Sequence, residues 1–119
     1  MNIETFRDYC LEKVAVTEDM PFDETTIAFR VGGKIFALTS TDLPFSVNLK
    51  CDPEWAIQLR EQHEAIKGGY HMNKKHWNTV LVDGSFPLAL LQKMIDHSYA
   101  LVAASLPKKT RESLGINPS

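Results

Sequence analysis

Apolar residues recur every three or four positions at the start of the chain. Ile3, Phe6, Cys10 and Val14, with Asn2 placed to cap, predict an amphipathic helix of about 13 residues that ends before Thr17. From Ile27 the period changes to two. The segments IAFRV, GG and KIFAL read as a hairpin, because Gly32 and Gly33 accept the positive φ of a two-residue type I′ turn. Such a turn sets Val31 opposite Lys34, Phe29 opposite Phe36 and Ile27 opposite Leu38 on the core face. Ala28 then meets Ala37, and Arg30 meets Ile35, on the other face.

Thr41 to Pro44 is a turn, and FSVNLK alternates Phe45, Val47 and Leu49 against Ser46, Asn48 and Lys50, a third antiparallel strand with one solvated face. Asp52 followed by Pro53 starts a second helix that runs to about Glu64 and is closed off by Gly68-Gly69. TVLVD supplies another strand before the Asp83-Gly84 turn. Pro87 opens the longest helix, with Leu88, Leu91, Ile95, Tyr99 and Val102 on one face and Leu90, Met94 and Leu101 widening the stripe, until Leu106-Pro107 stops it. The order of elements predicts a single α+β domain over residues 1–119, an antiparallel sheet with long N- and C-terminal helices packed on one face.

The chain's 119 residues support one hydrophobic core. With 44% hydrophobic and 24% charged residues, it is neither disordered nor fibrous. No run approaches the roughly 18 apolar residues of a membrane helix, and the charged start MNIETFRDYC is unlike a signal peptide, so a cytoplasmic monomer without a membrane partner is expected. Cys10 and Cys51 lie in no CxxC or Cys/His spacing, which points to two buried thiols rather than a disulfide framework or a zinc site.

Charge is unevenly distributed. Residues 1–26 hold Glu4, Asp8, Glu12, Glu18, Asp19, Asp23 and Glu24 against Arg7 and Lys13, a net of −5, whereas the segment from Lys67 to Arg111 carries +5. An anionic partner would meet the second region, because local potential steers association more than net charge does. The acidic cluster from Glu18 to Glu24 reads as a solvated turn. Its carboxylates lack the ligand spacing of a metal site, so neither a metal nor another cofactor is expected.

The stretch GGYHMNKKHWNT, residues 68–79, concentrates chemistry between elements. Lys74 and Lys75 can meet phosphates as point charges, with hydrogen-bond donors from His71, Asn73, His76 and Asn78. Tyr70 or Trp77 can stack on a base. For Trp77 the competing role is that of a core anchor pinning the loop, which the usual burial of tryptophan favours. No GxSxG, Walker or GxGxxG motif, and no metal-ligand spacing, accompanies this loop, so a nonenzymatic protein is expected.

VGGKIFAL (31–38), LKCDPEWA (49–56), LR (59–60), GGYHMNKKHWNTV (68–80), SYALV and LPKK together resemble the MmcQ/YjbR family of small bacterial proteins over nearly the whole chain. The resemblance implies a frataxin-like, or CyaY-like, fold with a double-wing arrangement and a DNA-binding role. It assigns that role to Lys74, Lys75, His76 and the hairpin cations Arg30 and Lys34. With Lys108, Lys109 and Arg111 from the basic tail, these residues form the candidate DNA site. The alternative is an adaptor that binds a protein partner or a small anionic ligand through Tyr70, His71, Asn73, Trp77 and Asn78.

Overall fold

A computed structural model describes residues 1–69 and 72–116. Asn2 caps α1 (Ile3–Leu11) through a capping box: its side-chain oxygen accepts the Thr5 N–H, and the Thr5 hydroxyl oxygen accepts the Asn2 N–H. The helix has nine residues and is not the long N-terminal helix that the spacing predicts. It ends early because the chain reverses at Ala15, φ +62°, and extends into β1 (Val16–Asp19), leaving Val14 exposed. That strand takes Glu18 and Asp19 out of the expected acidic turn, while Asp23 and Glu24 stay in a bend in which Asp23 accepts the Thr25 and Thr26 N–H groups. Glu18 is paired with Arg7, whose guanidinium holds the Glu18 carboxyl below its ordinary range, and Asp19 lies 2.9 Å from Arg30.

β2 (Thr26–Val31) and β3 (Lys34–Ser40) join at Gly32 and Gly33, whose φ values of +58° and +81° suit a type I′ turn. A side chain at Gly32 would also strike Leu106, 2.6 Å from the position of its Cβ. Val31 opposes Lys34 and Arg30 opposes Ile35, as the turn predicts. Beyond them the register shifts: Phe29 faces Ala37, Ala28 faces Leu38 and Ile27 faces Thr39. Phe36 is therefore the extra residue of a bulge and does not pair with Phe29. The bulge leaves Phe36 on the core side, turns Ala37 to join it and Phe29 there, where all three are fully buried, and sends Leu38 to the opposite face.

β4 (Ser46–Lys50), α2 (Pro53–Gln62), β5 (Ile66–Gly68) and β6 (Trp77–Leu81) complete a six-stranded antiparallel sheet in the order β1-β2-β3-β4-β6-β5. Asp52 caps α2 by accepting the Glu54 and Trp55 N–H groups. Gly68 ends a strand, rather than marking the close of α2, and the strand expected over TVLVD begins two residues earlier, at Trp77. The longest helix is α3 (Leu88–Ala104), which buries Leu91, Met94, Ile95, Ser98, Val102 and Ala103 but leaves Leu88 half exposed. Ser98 sutures it to the sheet, donating to the Phe36 carbonyl at 2.5 Å and accepting the Lys50 N–H at 2.8 Å. Past Pro107 the basic tail forms α4 (Lys108–Leu114), which Gly115 closes at φ +75°.

Registers turn Phe29, Ala37, Val47, Leu49, Ile66 and Val80 to one side of the sheet. There they meet Phe6 and Cys10 of α1, Ala56 and Leu59 of α2, and Leu91, Ile95 and Val102 of α3 in one core. Burial pushes the thiol of Cys10 up to about 12 and that of Cys51 up to about 11, so both stay protonated and unreactive near neutrality. Among the described residues, no helix is long and apolar enough to cross a membrane.

Candidate nucleic-acid interface

Antiparallel pairing gathers at one end of the sheet the C-terminal ends of β2, β4 and β5 and the N-terminal ends of β3 and β6. The Gly32-Gly33 tip, Lys34, Lys50 and the segment before Trp77 therefore share that end. α3 runs out there too, since Leu106 packs on Gly32, and α4 starts beside the hairpin. Cations that are distant in sequence are thus gathered at one edge of the molecule, though they do not form one flat face. Arg30 points to the side of the sheet away from the core helices, bound to Asp19 and, from Nη1, to the Gly33 carbonyl at 3.0 Å. Lys34 points to the helix side, with its Nζ 3.4 Å from the Ser105 hydroxyl. On α4, Lys108 and Lys109 are exposed, Lys108 lying 4.0 Å from Glu112, while Arg111 is half-buried.

The loop owes its shape to Asn73 and Arg60. Asn73 Oδ1 accepts the Lys75 N–H at 2.9 Å, and the Asn73 carbonyl accepts the N–H groups of His76 and Trp77. The His76 carbonyl accepts the Cys51 N–H, tying the loop to the end of β4. Arg60, on α2, donates from Nε to Asn78 Oδ1 at 2.7 Å and from Nη2 to the carbonyls of Lys74 and Trp77. Gly69 is required by proximity, for a Cβ there would lie 2.7 Å from Trp77 Cβ. The result presents Lys74 and Lys75 exposed, with no ion pair to a described carboxylate.

Two expected ligand groups have other positions or duties, and the expected core anchor is elsewhere. Asn73 Oδ1 is occupied in building the loop. Asn78 is 1% exposed and faces the core, so it offers nothing at the surface. Trp77 is not a core anchor: it opposes Lys50 on the helix-free side of the sheet, is partly buried and lies outside the core cluster. Trp55 takes the anchoring part instead, packed on the core and set edge-to-face against His97 at 4.7 Å. Tyr70 and His71 lie outside the described residues. In the sequence Arg60 stands out only as part of the LR motif; its acceptors, two of them main-chain carbonyls, carry no signal in the order of residues.

On the helix-free side the registers align Lys67, Thr79, Asn48, Leu38 and Ala28 in one rung, with Trp77 and Lys50 in a rung nearer the cationic end. A concavity of about 610 Å³ opens on this side, lined by Leu38, Ser40, Ser46, Asn48 and Thr79 of the sheet and by Phe22, Asp23 and Met72 of the flanking segments. No lysine, arginine or histidine is among its described lining residues. Hydrogen bonds from the Thr25 and Thr26 N–H groups hold the Asp23 carboxyl below its usual range, so the concavity carries negative charge at neutral pH.

His97 latches α3 to the start of α2 at the same end of the sheet: its Nε2 accepts the Asp52 N–H at 3.0 Å. Burial lowers its pKa below 6.5 and Lys93 lowers it further, against the attraction of Asp52. The unfolded imidazole then binds its proton at a higher pH than the folded one. Stability present above about pH 6.5 is therefore lost as pH falls toward the folded pKa. Urea midpoints measured at about pH 7.5 and about pH 5.5 should drop across this window for the wild type and stay flatter for His97→Gln. Equal slopes in the two proteins would assign the pH dependence to other groups.

A family model described as YjbR matches residues 11–101. The uncharacterised protein YbdF of Escherichia coli O157:H7 is 39% identical over 111 residues, which cover 92% of this chain and 90% of YbdF. The uncharacterised protein YjbR of Escherichia coli K12 is 32% identical over 115 residues, covering 96% of this chain and 98% of YjbR. The crystal structure of Deinococcus radiodurans protein DR2400, with the family-model domain DUF419, matches with a TM-score of 0.93 at 39% identity, covering 99% of this chain and 91% of that one.

Proposed function

From the premise that the chain belongs to the YjbR family, we propose that it is a nonenzymatic DNA-binding protein that grips phosphates at the cationic end of its sheet. The observation that carries this reading is the presentation of Lys74 and Lys75, exposed and without an ion pair to a described carboxylate, on a loop pinned by Arg60. The hairpin at Gly32-Gly33 and the start of α4 stand at the same end and add Lys34, Lys108 and Lys109. In this reading the fold is frataxin-like, the hairpin and the β6 loop are its two wings, and the protein works in the cytoplasm. The alternative, an adaptor for a small anionic ligand, gains no support from the concavity, where Asp23 supplies charge of the wrong sign.

Engaging about three to five phosphates gives a slope of log K against log salt of about −3 to −4. Lys74→Ala/Lys75→Ala should lower the magnitude of that slope by about two and weaken binding equally on every sequence, because point charges on phosphates carry no base information. The same double variant should change stability by less than about 0.5 kcal/mol, as both side chains are exposed. Titrations at two salt concentrations check the slope. A double variant with the parental slope removes these lysines from the site, and an absence of binding at low salt ends the DNA reading.

A further inference from the structure

The cationic end opens onto a surface with different chemistry. Trp77 and Lys50 share the rung nearest that end on the helix-free side, and Lys67, Thr79 and Asn48 share the next. The concavity begins at that second rung. Leu38 of the sheet and Phe22 and Met72 of the flanking segments give it apolar lining. Its walls are neutral donors and acceptors from Ser40, Ser46, Asn48 and Thr79. A phosphate meets no cation among the described lining residues, and Asp23 repels it. A nucleobase meets what its faces and edges need: apolar contact above and below, hydroxyl and amide groups around the rim. Asn48 Oδ1 accepts a hydrogen bond from the Thr79 hydroxyl, and its amide N–H₂ can donate to a base acceptor.

We infer that this chain prefers single-stranded to duplex nucleic acid, with one unpaired base stacked on Trp77 and the next seated in the concavity, while Lys50, Lys67, Lys74 and Lys75 follow the backbone. The inference rests on the nucleic-acid reading above and goes past it to the strandedness of the ligand. A duplex keeps its bases paired and stacked, so it can use the lysines but neither Trp77 nor the concavity; a single strand can use all three. The division of charge supports one occupant, since cations stand at the rim and none of the described residues lining the interior is cationic.

Oligothymidylate and a blunt duplex of equal phosphate count are titrated against the full chain at one low salt concentration. The single strand should bind about tenfold tighter or more and quench tryptophan emission, with the quench retained in Trp55→Phe, which leaves Trp77 as the emitter. Trp77→Ala should lose about tenfold in single-strand affinity with duplex affinity unchanged, Trp77→Phe should recover most of it, and Asn48→Ala should lose about fivefold on the single strand alone. Trp77 lies outside the core, so urea melts should show Trp77→Ala folded at the titration temperature. Equal binding of the two forms, with Trp77→Ala indifferent to both, overturns the inference and leaves phosphate gripping at the sheet end intact. Binding of neither form overturns both.

Discussion

Phe36→Ala is expected to destabilise the fold by about 3–5 kcal/mol, the range for an aromatic removed from a closed core. Phe36 is fully buried, meets the Tyr99 ring edge-on at 5.4 Å and stands where Ser98 binds its carbonyl. Removing the ring leaves a void at the junction of β3 and α3, next to the bulge that brings Ala37 in beside it. Phe36→Leu should lose less than about 1.5 kcal/mol, since it keeps most of the volume. Urea melts with an unchanged m-value and a lowered midpoint check both figures. Trp77→Ala is the control, expected within about 1 kcal/mol of the parent because the indole does not belong to the core. The reverse order, with Trp77 the more sensitive site, would contradict the packing described for β3 and β6.

Local signals in the residues carried the elements whose causes are local. Gly32-Gly33 and Asp52-Pro53 each specify a backbone geometry within two positions, and the turn and the cap formed as expected. What was hidden depended on distant partners. The Phe36 bulge follows from Tyr99 and Ser98, more than sixty residues along the chain, and no periodicity within β2 and β3 could announce it. Glu18 and Asp19 read as part of an acidic turn, yet they are matched by Arg7 and Arg30 in β1, and an edge strand tolerates such charges. At three residues, β5 is too short to show a period. For α4, Pro107 and Gly115 offered start and stop signals, but KKTRESL has no apolar stripe long enough to declare a helix. The candidate site was legible as a concentration of residue types, whereas their division between surface and core was not. Asn78 faces inward and Trp77 outward because β6 begins two residues earlier than its apolar run suggests.

That inward Asn78 and the loop before it depend on one side chain, so Arg60→Met should be the most disruptive change outside the apolar core. Methionine keeps much of the stem but removes donors that reach Asn78 Oδ1 at 2.7 Å, the Trp77 carbonyl at 3.2 Å and the Lys74 carbonyl. Asn78 is 1% exposed, and its Nδ2 has no partner among the described residues, so losing the bond to Oδ1 leaves the amide unsatisfied in the core as far as those residues go. The loop carbonyls can recover water, while the buried amide cannot. With about 1.5–3 kcal/mol for a bond from a charged donor to a buried acceptor, and less for the two carbonyls, the expected loss is about 2–4 kcal/mol. Arg60→Lys should recover little, because an ammonium cannot reproduce the planar fork that serves these acceptors together. The effect on DNA should differ in kind from that of the lysine variants. Arg60→Met retains Lys74 and Lys75 but no longer holds them in place, so affinity should fall about tenfold, the equivalent of ordering one residue on binding, while the salt slope keeps its parental value. A melt and a pair of salt titrations separate the cases. An Arg60→Met protein as stable as the parent would show that water satisfies Asn78 and the loop, and a salt slope reduced by one would make Arg60 itself a phosphate contact.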